Sequence, residues 1–569
     1  MRLADCFPAR PTTPAKGLVA DLALLAVGGG IVLVALILWF DNAQGSLTGN
    51  GAVKSIEVKP WIVDPAHAVL YPSNYLFYPA YGALCRLLDL LGVFAGDPRR
   101  QFTILNAASA SLCIGVAYVL ARALTGQRAV ALIAALFHIA CSFVLLLAIT
   151  NEDIMPSYTL MFAAMALAAV WFAGPTAPRV VAVACLFSLG WLFEWRLIFP
   201  TLPAMLAALW LCESRPAHRA GWIALFLATV AAMAAVAALA WQGHAGAVGP
   251  ADLLWTGKAV HSVWAGFTWA KIGHLRDGMA GYLLGTAITP LPGGWDLWRA
   301  LSLLWTLAVA AIGLSMLWGA RREPRARALA AVFGGTFLAG QIFNLYAQPQ
   351  DPQMQINVMA WLTPGWALVL TAARRLRPPG AFAGFRPPGA FAGLAALTVA
   401  LLAYNVWSIA PLRGLDTAWK RTIEHVGREA DPARTVFLIH DFDWTEIYAS
   451  LQWGMTDPGT RALGPAPQDA PRFKWIGLAS EALRHPEWSA DRQVAELRRQ
   501  IDRAMALGYD VVVARLWDMD ETRLEITTVR IVDSDRLSAL RTMLHGDYTA
   551  RFLFDDPLAG RFHRLQPAR

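Results

Sequence analysis

The sequence predicts an α-helical membrane protein that crosses the bilayer many times and carries a small α/β domain at its C-terminal end. Three observations predict this class. Of the 569 residues, 56% are hydrophobic and only 15% are charged, and the mean hydropathy is +0.43. This composition lies outside the range of ordinary soluble proteins. Long apolar runs fill the first 411 residues, whereas charged residues become frequent from residue 412 onward.

The apolar runs have the length of membrane-spanning helices, since about 20 residues cross roughly 30 Å of hydrocarbon. They predict about eleven spans. The first runs from Leu22 to Phe40 and lacks a small-residue cleavage site before Asp41, so it is predicted to be an anchor and not a cleaved signal. The other ten are predicted at about 102–121, 129–150, 154–173, 180–198, 199–212, 221–241, 298–318, 328–346, 355–372 and 389–410.

The run 180–212 is long for one span and short for two. Pro200 and Pro203 lie at its middle, and proline interrupts helices. We therefore expect a hairpin of two helices that turns at these prolines.

Basic residues predict the orientation, because short cytoplasmic loops are enriched in Lys and Arg. In the eleven-span arrangement the basic clusters fall on the side of the N-terminus. The N-terminus is therefore predicted inside and the C-terminus outside. The first outer loop then covers 41–101, and a large later outer loop covers 242–297.

The segment 412–569 contains strand-like runs at 435–439 and 509–514, a helical pattern at 491–507 and two closing strand-like stretches. This order favours a small α/β domain outside the membrane. The formal net charge of +8 arises in residues 1–411. We attribute it to membrane topology, so it does not indicate a nucleic-acid partner.

The segment from Asn151 to Pro156 places two adjacent carboxylates, Glu152 and Asp153, between two long apolar runs. Ionisable groups at the edge of hydrocarbon are costly and usually functional. The pair could instead cap the fourth span, where the helix dipole favours acidic side chains. Both interpretations are compatible with the sequence.

Two further acids lie in the first outer loop. Asp41 ends the first span directly, and Asp64 opens a stretch rich in aromatic residues and proline that reads as a loop on the membrane surface. Either carboxylate could act as a general base if it reaches an acceptor hydroxyl or amine. Asp64 could equally cap a turn, and Asp41 could simply lie among the headgroups. Longer outer loops need solvating residues, and we assign this role to most of the remaining outer acids, which are Glu57, Asp89, Asp97, Asp252 and Asp296.

Arg196 lies two residues after Glu194 near an outer helix end. The two could form an intramembrane ion pair, or the arginine could hold a phosphate. Other candidates for binding a charged or hydroxylated substrate lie in the later outer segments. They are Lys258, His261, His274 and Arg276 in the loop 242–297, and Gln348, Asp351 and Gln353 in an amide-rich turn.

The layout resembles the GT-C membrane glycosyltransferases, which include protein O-mannosyltransferases and lipid A aminoarabinose transferases. The resemblance covers residues 18–411. It implies that the first-loop acid, Asp41 or Asp64, is the catalytic base, and that Glu152 or Asp153 supplies the second acidic site. Many members carry two neighbouring acids in the first loop, whereas Asp41 and Asp64 stand far apart. Similarity to a His-Pro-Tyr segment adds candidate substrate contacts in the first loop, which are His67, Tyr71, Asn74 and Tyr75.

The resemblance further implies transfer of a sugar from a polyprenyl-phosphate donor to a glycan, lipid or protein acceptor at the outer face of a bacterial inner membrane. No cofactor is required by any spacing, although adjacent acids could hold a divalent metal ion. An alternative is an enzyme like an O-antigen ligase or polymerase, in which His261, His274 and Arg276 carry the reaction. A transporter is less favoured, because no inverted repeat is visible and the spans contain little charge.

Overall fold

The computed structural model describes most of the helical bundle and most of the C-terminal sheet. All structural statements below refer to the described residues. These are 15–43, 54, 55, 57–71, 74–213, 215–249, 267, 270–284, 304, 307, 323–346, 352–375, 389–439, 449, 463–466, 474–477, 488–514, 516–518 and 534–568.

The chain divides into two compact units. The first comprises residues 1–45 and 57–413, and the second comprises residues 46–56 and 414–569. The regular secondary structure described in the first unit is all helical, and the second unit contains the sheet.

Long apolar helices dominate the first unit, as the hydropathy of the sequence requires. Short helices connect them, and a π-helical turn at Ala330–Gly334 joins two helical segments. The α-helices are Ala15–Phe40, Lys59–Val63, Phe77–Leu90, Pro98–Thr125, Arg128–Ala140, Ser142–Ile149, Ile154–Trp171, Ala177–Phe193, Ile198–Cys212, Pro216–Ala240, Ala270–Leu284, Pro324–Leu329, Gly335–Tyr346, Pro352–Gln355, Leu362–Arg375 and Gly389–Ile409.

Seven of the described helices are long and apolar enough to cross a membrane, and a bent pair raises this number to eight. The prediction of a polytopic helical membrane protein is therefore confirmed. Ten of the eleven predicted spans fall on helices, but Ala177–Phe193 and Leu362–Arg375 are shorter than a full span. The predicted span 298–318 lies outside the described residues, apart from two positions.

The predicted turn at Pro200 and Pro203 is wrong. The chain instead breaks at Glu194, continues through a 3-10 turn at Trp195–Leu197 and enters the helix Ile198–Cys212. Pro203 lies inside that helix, and Pro200 lies in its first turn. A proline near a helix start removes only an amide that has no helical acceptor, so Pro200 suits the beginning of a helix better than a hairpin turn.

The helices Arg128–Ala140 and Ser142–Ile149 meet at Cys141 with a bend of 73°. The amide of Asn405, from the helix Gly389–Ile409, donates to the carbonyl of Ala140 at 2.6 Å and to that of Leu283 at 2.9 Å. A backbone carbonyl inside a bundle needs such a partner, because no water is available in hydrocarbon.

The second unit is an α/β domain, as the sequence predicts. Its five strands are β1 (Thr435–Ile439), β2 (Lys474–Gly477), β3 (Asp510–Ala514), β4 (Tyr548–Asp556) and β5 (Gly560–Pro567). The sheet order is β2-β1-β3-β5-β4. Strands β2, β1 and β3 run parallel, and β5 and β4 add antiparallel strands beside β3. Three α-helices accompany the sheet, namely Leu415–Glu429, Ala490–Ala506 and Ser534–Asp547.

Alternate residues of the parallel strands enter two apolar cores. Val436, Leu438 and Val511 pack with the helix Ala490–Ala506 on one face. Phe437 and Val512 pack with Trp419 of the helix Leu415–Glu429 on the other. Strands covered on both faces are buried throughout, which explains the continuous apolar runs in their sequence.

Candidate functional site

The two adjacent acids lie in a short non-helical segment, residues 150–153, before the helix Ile154–Trp171. The side chains of Glu152 and Asp153 are fully buried. Asp153 occupies the N-cap position of the helix, but its side chain accepts no capping hydrogen bond there. Helix capping by the side chain therefore does not account for the burial of this carboxylate.

Two hydrogen-bonded contacts fix the backbone of this segment. Asn106, from the helix Pro98–Thr125, donates its side-chain amide to the carbonyls of Thr150 and Glu152, both at 2.7 Å. The backbone amide of Asn151 donates to the carbonyl of Ala43 at 2.7 Å. The second contact ties the acid pair to the chain two residues after Asp41.

Asp41 ends the first helix in a left-handed backbone conformation, with φ of +44°. Few residues other than glycine adopt this conformation, and it often marks a functional position. Arg100 donates to the Asp41 carboxylate at 2.5 Å, and the Asp41 side chain is 29% exposed. Asp97 begins the helix that carries this arginine, and its carboxylate accepts from the Arg100 amide.

Asp64, the other first-loop candidate, pairs with His67 at 2.7 Å. Both side chains are largely exposed, at 58% for Asp64 and 84% for His67. Asp64 also ends the short helix Lys59–Val63, where its backbone amide donates to Pro60. The bond at this helix end comes from the Asp64 backbone amide, while the Asp64 side chain pairs with His67, so a capping role for the side chain stays a prediction.

The assignment of Glu57 to solvation is wrong. The hydroxyl of Tyr78 donates to the Glu57 carboxylate, and the Tyr78 ring packs 5.0 Å from that of Tyr71. Burial raises the pKa of Tyr78, and the charges of Glu57 and Asp153 raise it further. Tyr78 therefore stays protonated at neutral pH. Glu57 and Tyr78 lie 21 positions apart in the chain, which explains why the sequence did not reveal this contact.

Lys59 adds a cation that the sequence interpretation did not select. Burial lowers the pKa of its amine, and the nearby charge of Asp97 partly opposes this effect. Its helix, Lys59–Val63, packs against Phe77–Leu90 at Gly82, where a β-carbon would lie only 2.6 Å from Trp61. This close approach requires glycine and fixes the position of the loop.

Asn74 and Tyr75 follow the loop into the bundle and are both buried. The Asn74 amide donates to the Glu194 carboxylate at 2.9 Å, and Arg196 pairs with the other oxygen of Glu194 at 2.7 Å. The structure thus contains the ion pair that the sequence allows. It joins the first outer loop to the break between two helices.

Other predicted outer segments meet the first loop at this end of the bundle. Trp61 makes edge contacts with Trp241 and His244, and the Leu70 amide donates to the carbonyl of Ala245 at 2.8 Å. The start of the 242–297 loop and the first outer loop therefore lie on one side of the bundle.

Several candidates cannot be placed. Lys258, His261, Gln348 and Asp351 lie outside the described residues. His274, Arg276 and Gln353 lie on the helices Ala270–Leu284 and Pro352–Gln355, but their side chains are not described. Within the described part of the chain, no group of three or more His, Cys, Asp or Glu side chains could hold a metal ion.

Comparisons with known proteins identify similar folds but no similar sequences. No family model matches the chain, and no curated protein matches it. ArnT from Cupriavidus metallidurans in the apo state superposes with a TM-score of 0.51 at 13% identity, covering 97% of this chain and 98% of ArnT. The Archaeoglobus fulgidus oligosaccharyltransferase in the apo form gives a TM-score of 0.51 at 12% identity, covering 97% of this chain and 74% of that chain.

Both solved structures have the GT-C fold. The likeness extends over the helical bundle and the C-terminal domain, since it covers nearly the whole chain. The resemblance drawn from the sequence is confirmed at this level: the chain has the fold of the GT-C membrane glycosyltransferases.

Proposed function

We propose that this protein is a glycosyltransferase that moves a sugar from a polyprenyl-phosphate donor to a hydroxyl or amine of an acceptor at the outer face of a bacterial inner membrane. The observation that carries the proposal is the buried pair Glu152 and Asp153, tied through Asn151 to the chain beside Asp41. The GT-C fold supports the same reaction class.

Asp41 is the general base in this proposal. Its carboxylate is partly exposed, so an acceptor can reach it, and Arg100 holds it in one orientation. Its strained backbone is also typical of functional positions. Asp64 instead pairs with an exposed histidine at the end of a short helix, where neither group is shielded from water.

The buried acids have a different role. Glu152 and Asp153 face the same end of the bundle as Tyr78, whose protonated hydroxyl lies within electrostatic reach of Asp153. We assign to this pair the stabilisation of positive charge that develops at the anomeric carbon, an electrostatic effect that needs no direct contact with the acceptor. Carboxylates removed from water act strongly on nearby charge, because the local dielectric constant is low.

The donor phosphate needs a cation. Arg196 lies at the same end of the bundle and pairs with Glu194, whose other carboxylate oxygen accepts from Asn74. A planar guanidinium suits phosphate binding, because it can donate two parallel hydrogen bonds. Lys59 provides a second cation in the first outer loop.

The test compares Asp41→Asn with Asp64→Asn in membranes that carry equal amounts of folded protein. Loss of a general base lowers rates by about 100-fold or more, so Asp41→Asn should abolish measurable sugar transfer. The Asp64→Asn variant should retain most of the activity and serves as the matched control. Full activity of Asp41→Asn would show that the base has been assigned to the wrong residue.

A further inference from the structure

Asn106 lies within the helix Pro98–Thr125, and it is fully buried. Both of its amide contacts reach main-chain carbonyls of the segment that carries the acid pair, Thr150 and Glu152, at 2.7 Å. The Asn106 side chain therefore contacts the backbone of this segment. These two contacts do not depend on which side chains the segment carries.

The orientation of this amide is unambiguous. Only the NH2 group can donate to two carbonyl oxygens, and the opposite orientation would place the amide oxygen against both acceptors. Each lost donation would leave a buried carbonyl without its partner, at a cost of about 1–3 kcal/mol. The segment 150–152 is therefore held at two points by one side chain.

The same helix also positions the other half of the proposed site. Arg100, which holds Asp41, lies six residues before Asn106, a rise of about 9 Å along a helix. The backbone contact from Asn151 to Ala43 closes the arrangement between the two held segments. One rigid helix thus sets the separation of Asp41 from Glu152 and Asp153.

We infer that Asn106 is a positioning residue for the acid pair. The inference rests on the proposed function. Asn106 acts through the backbone of Thr150 and Glu152, and it does not touch substrate, because it is fully buried and its donors are engaged. Rates depend steeply on such support, since displacement of a reacting group by about 1 Å can cost 100-fold.

The kinetic test uses Asn106→Ala and Asn106→Asp in the full-length protein in detergent. The donor is the radiolabelled polyprenyl-phosphate sugar pool extracted from cells that lack this protein. We expect kcat to fall about tenfold or more while the donor KM changes less than about threefold, because the acids are displaced but the donor contacts remain. Asn106→Asp keeps the size and shape of the side chain but removes its N–H donors. An equal loss of kcat in Asn106→Asp and Asn106→Ala would therefore attribute the effect to the missing donors.

Ser111→Ala is the matched control. Ser111 is buried on the same helix, but its hydroxyl bonds only the carbonyl of Ala107 in that helix. This variant should keep kcat near the wild-type value. A kcat for folded Asn106→Ala within about twofold of wild type would overturn the inference, as would a changed KM with an unchanged kcat.

Hydrogen–deuterium exchange separates this inference from the proposed function, because it requires no enzymatic activity. The Asn151 amide should exchange faster in Asn106→Ala than in wild type, and it should be unchanged in Ser111→Ala. Unchanged exchange in Asn106→Ala would overturn the positioning role. A wild-type protein without sugar transfer would instead overturn the proposed function, whatever the exchange shows.

Discussion

Asp556, at the end of β4, illustrates how single residues stabilise the C-terminal unit. One carboxylate oxygen accepts from the Thr422 hydroxyl and from the amides of Leu558 and Ala559, and the other pairs with His425. Burial raises the pKa of this carboxyl, but the hydrogen bonds outweigh burial and lower the pKa overall. The ionised form is therefore part of the folded structure.

The pH dependence follows from the lowered pKa. An aspartate titrates near pH 3.9 in an unfolded chain, so the stabilisation is complete above that pH and is lost as the pH falls through the lower folded pKa. Asp556→Asn should destabilise the unit by about 2 kcal/mol at pH 7, and the difference from wild type should shrink below about pH 4. Hydrogen exchange of strands β4 and β5 in the full-length protein measures this.

Asp555→Asn is the control for that experiment, because Asp555 is the neighbouring residue but is exposed. Its effect should stay within about 0.5 kcal/mol. An equal loss in both variants, or a difference for Asp556→Asn that does not shrink as the pH falls below about 4, would contradict the hydrogen-bond explanation.

At the scale of elements, broken helices create sites that need side-chain partners. The 73° bend at Cys141 interrupts one predicted span, and Asn405 satisfies the carbonyls of Ala140 and Leu283 there. Asn106 serves the non-helical segment before Ile154 in the same way. These two buried asparagines thus contact carbonyls where the backbone departs from regular helix.

Removal of the Asn405 amide should destabilise the helical unit. Asn405→Ala leaves two buried carbonyls without this donor, so we expect a loss of about 1–3 kcal/mol and a lower midpoint of thermal unfolding in detergent. Val399→Ala, at an exposed position on the same helix, should have a much smaller effect. Equal unfolding midpoints for Asn405→Ala and wild type would show that the bend does not depend on Asn405.

The sequence predicted the helices better than it predicted the contacts between residues distant in the chain, and the reason is physical. Apolar runs identify helices because the bilayer sets their length, and this holds even where Cys141 bends the span. The contact between Glu57 and Tyr78 depends on how the first outer loop folds back, which no local pattern encodes. The sequence did indicate that Asn106 makes a contact, since an asparagine inside a predicted membrane span needs a buried partner. The identity of that partner required the structure.

At the scale of the whole molecule, the fold is shared over nearly the full length of ArnT at only 13% identity. A helical bundle tolerates this divergence, because lipid-facing positions require only apolar side chains. The described part of residues 41–101, residues 150–153 and Glu194 with Arg196 converge at one end of that bundle. The architecture explains how distant parts of the sequence form a single candidate site.

A cellular prediction follows from the proposed reaction. Cells that lack this protein should accumulate one polyprenyl-phosphate sugar and lose the corresponding glycan modification, because the donor is no longer consumed. Mass spectrometry of extracted lipids measures both changes. Wild-type protein should reverse the accumulation and Asp41→Asn should not. An unchanged lipid and glycan profile in the deletion strain would contradict a transferase.

The attachment of residues 150–152 through main-chain carbonyls has a consequence for protein engineering. Asn106 donates to the main-chain carbonyl of Glu152, so exchanging the Glu152 side chain should leave this backbone anchor intact. The side chain at position 152 and the position of its backbone can therefore be altered separately. Libraries randomised at Glu152 and Asp153 would vary the charge of the site on an unchanged backbone path, whereas randomising Asn106 would alter the path itself.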